Sequence, residues 1–229
     1  MSALRPDRSV IATYAVAAVT FVVVFLAFPG HRDGLLVEDG PLETLTAGVF
    51  VIAAGVGVLA IRRSGGTARR VAWTVTVFAT LAFLDEISFG FRLFDITPPR
   101  IMDIDVDSLH DVFDLAERAA ERAGIGRTGL AALTLALAGV LVAVVVRSGR
   151  LPQLVAWVGD HPAVAWIGIS VGLLVTAVGL DLLGTTDPMR LGEELLELAG
   201  ASAAVQAARR LRSRTPLSLV PADPLVPAP

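Results

Sequence analysis

Carboxylate side chains are the groups in this chain that could carry chemistry, and they gather at the ends of four long apolar stretches. The members are Glu38, Asp39, Glu43, Asp85, Glu86, Asp181, Glu193, Glu194 and Glu197. Carboxylates bind hard cations through oxygen, and a bound metal ion can lower the pKa of a water molecule. Several carboxylates in one pocket would repel one another, so the pattern predicts protons, a cation or Arg92 among them.

A single histidine, His110, lies in a polar segment with Asp107 three residues before it and Asp114 four residues after it. At helical spacing these side chains share one face, and an imidazole with carboxylates can hold a divalent metal ion. The spacing matches no established metal motif, and a solvated surface histidine fits the same pattern. Both interpretations of His110 stay open at this point.

Together these residues define a candidate site with three roles. The candidate catalytic groups are Asp85, Glu86 and His110. The candidate ligands of a divalent metal ion are Glu86, His110, Glu194 and Glu197. The further candidate binding residues are Glu43, Ser88, Arg92 and Glu193. Two simpler interpretations compete with such a site: a packing ion pair between Asp85 and Arg92, and solvated acids at helix N-termini.

The composition places these residues in a membrane protein. Of the 229 residues, 54% are hydrophobic and only 18% are charged, and the mean hydropathy is +0.69. The apolar residues form blocks of about 20, the length that crosses the hydrocarbon core of a bilayer. A net charge of −3 argues against a nucleic-acid partner, and the absence of cysteine excludes thiolate chemistry.

The apolar blocks predict one all-α domain over residues 1–212, a bundle of about six transmembrane helices. The predicted spans are 9–28, 42–61, 71–94, 128–146, 162–183 and 189–211. Apolar residues at helical spacing in the third loop predict an amphipathic helix over 108–123, capped by Asp107 or Ser108, that lies on or folds over the bundle. We predict a turn over 147–160 and a disordered Pro-rich tail over 213–229.

Arginine counts set the predicted orientation. All 19 basic residues are arginine, and 12 of them fall on the side of the termini if both termini share one side. Because positive residues favour the cytoplasmic side, we predict a multi-pass protein of the cell membrane with both termini in the cytoplasm. The acidic groups and His110 then share the opposite, non-cytoplasmic side.

Helix geometry predicts how deep the acidic groups lie. Asp85 is about 15 residues into the third predicted span, about 22 Å from its start and therefore inside the bilayer. A charge at that depth requires a partner or a water-filled cavity. In a continuous helix, Asp85, Ser88 and Arg92 would share one face.

The last predicted span carries both acids and small residues. Gly200, Ala204 and Ala208 form a stripe that would allow a neighbouring helix to approach closely, near the face that carries Glu197. This span is too polar to face lipid on all sides. We therefore expect its acids to converge with Glu43 and Glu86 on one cavity open to the outer face.

The end of the third span resembles a motif of an uncharacterised family of small polytopic bacterial membrane proteins, which carries E-E-I-S-W-G-Q-R there. The matching residues are Glu86, Ile87, Ser88, Gly90 and Arg92, and the departing residues are Asp85, Phe89 and Phe91. The segment 38–43 resembles a second family element, E-D-G-x-x-E, and 108–110 resembles a third, N-L-H, without its asparagine. The resemblance implies one site shared by these segments and no particular substrate.

Two functions from different classes fit these residues. In the favoured one, the acidic and histidine cluster binds a cation, a lipid head group or a partner subunit in the membrane. In the other, the protein is a membrane-embedded, metal-dependent hydrolase or transferase for a lipid-like substrate, with Asp85 as base. The sequence contains no Walker loop or H-E-x-x-H motif, and one histidine is few for a hydrolytic metal site.

Overall fold

The computed structural model of the protein describes residues 7–36, 40–91, 94–108, 110–126, 146–183 and 186–212, with isolated positions between 129 and 144. The helices are α1 Arg8–Ala27, α2 Arg32–Leu35, α3 Pro41–Arg63, α4 Gly66–Glu86, α5 His110–Arg122, α6 Leu151–Asp160, α7 Pro162–Leu183 and α8 Asp187–Arg212. A 3₁₀ turn at Pro29–His31 precedes α2 and another at Ser88–Gly90 follows α4. Strands β1 Arg100–Ile101 and β2 Ile104–Asp105 pair antiparallel.

Three described helices are long and apolar enough to cross a membrane: Arg8–Ala27, Pro41–Arg63 and Pro162–Leu180. They coincide with the first, second and fifth predicted spans, because the thickness of a bilayer fixes the length of an uninterrupted apolar block. Helices α4 and α8, with 21 and 26 residues, also have sufficient length, but their composition is more polar. The predicted fourth span falls largely outside the described residues, and the predicted disordered tail lies wholly outside them.

Helix α8 lies at the centre of the bundle and packs against α1, α3, α4 and α7. Its buried residues include Gly200, Ala204 and Ala208, which confirms the predicted small-residue stripe. A Cβ atom at Gly200 would lie 3.1 Å from the Leu174 side chain of α7. At the same level, the hydroxyl of Ser170 donates a hydrogen bond of 2.7 Å to the Gly200 carbonyl. The stripe therefore lets α7 pack directly on the α8 backbone.

A polar clamp joins the start of α1 to the end of α8. The Asp7 N–H donates to Gln206 Oε1 at 3.0 Å, and Gln206 Nε2 donates to the Asp7 carbonyl at 3.1 Å. Arg209 Nη1 donates to Asp7 Oδ2 at 2.7 Å, and Asp7 also accepts from the Ser9 hydroxyl and N–H. The Ser9 hydrogen bonds, with Arg209, lower the pKa of Asp7 to about 2. The start of α1 and the end of α8 consequently lie at the same end of the bundle.

Helix α4 differs from the predicted third span. The predicted span 71–94 is wrong at both ends, since the helix begins at Gly66 and ends at Glu86. It ends because Ser88, Phe89 and Gly90 adopt left-handed conformations with φ of 49°, 50° and 80°. A helix of L-residues cannot continue through such a turn.

A turn predicted over 147–160 is also wrong, because α6 Leu151–Asp160 occupies most of that segment. Pro152 lies in the first turn of α6, where a missing N–H costs nothing. In the third loop, α5 His110–Arg122 lies within the segment 108–123, and the amphipathic helix on the bundle that we expected there stays a prediction. Ser108 Oγ accepts from the Asp111 N–H at 3.3 Å and donates to Asp111 Oδ2 at 2.9 Å. Of the two proposed caps, Ser108 therefore closes the N-terminus of α5, in a reciprocal capping box.

Candidate functional site

Three helices bring acidic residues to one end of the bundle. Glu43 lies in the first turn of α3, and α3 packs against both α4 and α8. Asp85 and Glu86 are the last two residues of α4. Glu193, Glu194 and Glu197 lie in the second and third turns of α8. We call these six residues, Glu43, Asp85, Glu86, Glu193, Glu194 and Glu197, the acidic cluster.

The carboxyl groups of the acidic cluster interact with one another electrostatically. The Glu86 carboxyl group on α4 interacts electrostatically with those of Glu194, Glu43 and Asp85. The Glu197 carboxyl group on α8 interacts electrostatically with those of Glu86, Glu194, Glu193 and Glu43. The acids of α3, α4 and α8 therefore lie near one another, and the cavity open to the outer face that we expected around them stays a prediction. Helix packing produces this arrangement, because α3 and α8 start at the end of the bundle where α4 stops.

Burial distinguishes two members of the acidic cluster. The Glu197 side chain is only 9% exposed. One carboxylate oxygen of Glu194, Oε2, is buried and has no hydrogen-bond partner among the described residues. A buried carboxylate without a compensating partner is costly, so these two groups require a proton, a cation or bound water in the functional protein.

An apolar layer lies beneath the carboxylates. Leu42 of α3 packs with Leu191 and Leu198 of α8 and with Phe25 of α1. One turn further along α3, Thr46 is completely buried, and its hydroxyl has no hydrogen-bond partner in the described part of the chain. The sequence interpretation missed Thr46. The sequence did contain a signal for Thr46: it lies three residues after Glu43. At that helical spacing the two side chains occupy neighbouring parts of one helix face.

The predicted arrangement around Asp85 is wrong in two respects. Because α4 begins at Gly66 and ends at Glu86, Asp85 lies at the end of the helix rather than near the middle of a span. Asp85 and Ser88 do not share a helical face, since α4 ends at Glu86 and the chain turns at Ser88. Ser88 itself is 6% exposed within this turn. Arg92 is outside the described residues, as are Glu38 and Asp39.

His110 is the first residue of α5, and its side chain is outside the described part of the structure. Its neighbour Asp111 accepts hydrogen bonds at Oδ2 from the N–H groups of Asp107 and Ser108, at 2.9 and 2.7 Å. Partial burial raises the pKa of Asp111, but these hydrogen bonds outweigh it and the pKa is lowered overall. Asp111 thus serves the helix cap.

The described residues do not contain three or more His, Asp or Glu side chains arranged to hold a metal ion. The predicted divalent-metal set of Glu86, His110, Glu194 and Glu197 is therefore unsupported. Glu86, Glu194 and Glu197 lie together, but their carboxylates do not form a ligand shell. The Asp181 side chain is also outside what the structure describes.

Comparison of the chain with protein-family models finds no matching family, and comparisons with curated proteins and with solved structures find no match.

Proposed function

We propose that this protein is a multi-pass membrane protein whose acidic cluster binds a cation inside the helical bundle. The observation that carries the proposal is the burial of Glu197 among the other carboxylates of the acidic cluster. Like charges in a desolvated site destabilise the folded state unless a positive charge or protons offset them. A bound cation removes both the repulsion and the cost of burial in one step.

The positions of the acids support a cation in preference to the two other ligands considered, a lipid head group and a partner subunit. Glu197 and Glu194 Oε2 are buried in the bundle, whereas a head group or a partner subunit would contact its surface. The donor atoms of the cluster are all carboxylate oxygens, which favour hard cations. The hydrolase or transferase alternative stays a prediction, because the side chain of His110, one of its candidate catalytic groups, lies outside the described residues.

In the membrane, we propose six spans with both termini in the cytoplasm and the acidic cluster towards the other side. The arginine distribution supports this orientation. Two further observations agree with it: three helices have the length and composition of spans, and the α1–α8 clamp brings the start of α1 and the end of α8 to one end of the bundle. The motif resemblance at 85–92 belongs to the same proposal, because it assigns Glu86 to a shared site.

The test is cation-dependent stability of the purified protein in detergent. Thermal unfolding is followed in buffers that contain choline as the only cation, and then with added Na⁺, K⁺, Mg²⁺, Ca²⁺ or Mn²⁺. A ligand at 100 times its Kd stabilises by about 2.7 kcal/mol, or about 5–10 °C in Tm for a domain of this size. We expect at least one inorganic cation to produce such a shift.

The variant Glu197→Gln should abolish the shift, because the amide keeps the shape of the side chain and removes its charge. Asp187→Asn is the matched control, since Asp187 is an exposed acid in the first turn of the same helix. It should respond to cations like the wild type. If no cation stabilises the protein, or if Glu197→Gln responds fully, the acidic cluster does not bind a cation.

A further inference from the structure

Thr46 differs in its hydrogen bonding from most other threonines in the described helices. The hydroxyls of six of them donate to the carbonyl four residues earlier, at 2.7–3.2 Å, and these are Thr13, Thr20, Thr44, Thr74, Thr76 and Thr176. Thr46 is fully buried, yet its Oγ1 makes no hydrogen bond within the described part of the chain. Burying a hydroxyl without a partner is unfavourable, so the position requires an explanation.

Packing fixes the level and direction of Thr46. Leu42, Thr46 and Phe50 follow one another at intervals of four residues along one face of α3. Leu42 packs against Leu191 and Leu198 of α8, and Phe50 packs against Ala201 and Ala204 of the same helix. Thr46 therefore faces α8 between these two contacts, at the level of the turn that contains Glu197.

Three oxygen-bearing side chains thus lie at neighbouring levels of α3 and α8, next to the layer of Leu42, Leu191 and Leu198: Thr46, Glu194 and Glu197. The Thr46 hydroxyl and Glu194 Oε2 are buried without a hydrogen-bond partner among the described residues, and Glu197 is 9% exposed. Such a set contains no nitrogen or sulfur, which disfavours Zn²⁺ and Cu⁺. With two carboxylates, it also carries less negative charge than the Ca²⁺ sites of proteins, which use six to eight oxygen ligands, several of them carboxylates.

We propose that Thr46 supplies a neutral oxygen ligand to an alkali-metal cation such as Na⁺, which the carboxylates of Glu194 and Glu197 hold by charge. This proposal rests on the proposed cation site and assigns its ligand class and its innermost residue. A monovalent ion needs less negative charge around it than a divalent ion. A neutral hydroxyl beside two carboxylates suits that lower requirement, and the closely packed layer below Thr46 stops the ion at this depth.

The test compares Thr46→Val with Thr76→Val in choline buffer and across a Na⁺ titration, by thermal unfolding in detergent. Valine matches the shape of threonine and lacks the hydroxyl. Thr76 is the matched control because it is buried but already donates to the Ala72 carbonyl at 2.8 Å. In choline, Thr46→Val should be at least as stable as the wild type, since it removes an unsatisfied polar group.

In Na⁺, the wild type and Thr76→Val should both gain stability with the same midpoint concentration. Thr46→Val should need about tenfold more Na⁺ or more, the usual loss when a metal site loses a supporting group. If Thr46→Val does not fold, Thr46→Ser and Thr46→Ala provide the same comparison through direct binding of ²²Na⁺. Serine should bind like the wild type, and alanine should bind about tenfold more weakly.

Two outcomes would overturn this inference and leave the proposed function intact. One is an unchanged Na⁺ midpoint in the variant that lacks the Thr46 hydroxyl. The other is stabilisation by divalent cations alone, with no response to Na⁺, Li⁺ or K⁺. The absence of any cation response in the wild type would instead refute the proposed function together with this inference.

Discussion

Helix α3 packs closely against α4 at Gly57, and replacing this glycine with alanine should destabilise the protein. A Cβ atom at Gly57 would overlap the Thr76 hydroxyl and lie 3.4 Å from the Thr76 Cα and Cβ atoms. Gly57 is buried, and Thr76 is 7% exposed. This contact matters for the site, because the α3–α4 pair brings Glu43 and Glu86 to one end of the bundle.

The expected magnitude follows from a nearby position that lacks the contact. At Gly55, two residues earlier, a Cβ atom would meet nothing within 4 Å. Gly55→Ala should therefore stabilise by about 0.5–1 kcal/mol, the usual gain when alanine replaces glycine inside a helix. Gly57→Ala gains the same amount but suffers overpacking of about 1–3 kcal/mol. The two variants should thus differ by about 1–3 kcal/mol, with Gly57→Ala the less stable.

The assay is equilibrium unfolding in mixed detergent micelles, with helix content as the readout. Thr76→Ala is the rescue partner, since it removes the hydroxyl that the new methyl group would meet. The double variant Gly57→Ala/Thr76→Ala should be more stable than the sum of the single changes by about 1 kcal/mol. Equal stability of Gly55→Ala and Gly57→Ala, or strict additivity in the double variant, would refute the close approach of α3 and α4.

Three further predictions test the remaining parts of the structure. Reporter fusions in the α3–α4 loop and after α8 should report the cytoplasm, and a fusion in the β1–β2 turn should report the opposite side. A cytoplasmic signal from the β1–β2 turn would contradict the proposed orientation. Because the folded-state pKa of Asp7 is lowered from 3.8 to about 2, its contribution to stability is present above pH 4 and lost as the pH falls towards 2. Acid unfolding of Asp7→Asn and Arg209→Gln should lack part of this pH dependence, and wild-type behaviour of both would argue against the clamp. If Asp85 pairs with Arg92, alanine variants of each should destabilise strongly and the double variant less than their sum, whereas additive losses would exclude the pair.

The acidic cluster illustrates how far the sequence alone leads. Successive membrane helices run in opposite directions, so the start of one helix and the end of the next lie on the same side. The gathering of Glu43, Glu86 and Glu197 therefore followed from their positions along the chain. The sequence could not show which of them is desolvated. That depends on the neighbours supplied by other helices, and packing buries Glu197 while leaving Glu193 partly exposed.

The limits of the membrane helices depended on two kinds of information. Apolar length alone closely determined the limits of the three helices that could cross a membrane, Arg8–Ala27, Pro41–Arg63 and Pro162–Leu180, because a bilayer imposes a fixed thickness on any helix that crosses it. The end of α4 coincides with a local turn: Gly90 is left-handed, and a Cβ atom there would lie 3.3 Å from the Phe94 ring. The sequence interpretation extended the helix through this turn, although Gly90 is the residue type that most readily adopts a left-handed conformation.

The small residues of α8 followed from the sequence, whereas the surroundings of Thr46 followed only from the tertiary structure. The stripe of Gly200, Ala204 and Ala208 was visible in the sequence because helical periodicity is a property of the chain itself. That α8 is the central helix, and that Thr46 faces it with an unpartnered hydroxyl, was decided only by the tertiary structure. Burial and hydrogen bonding are relations between segments that are distant in the chain, so no single segment specifies them.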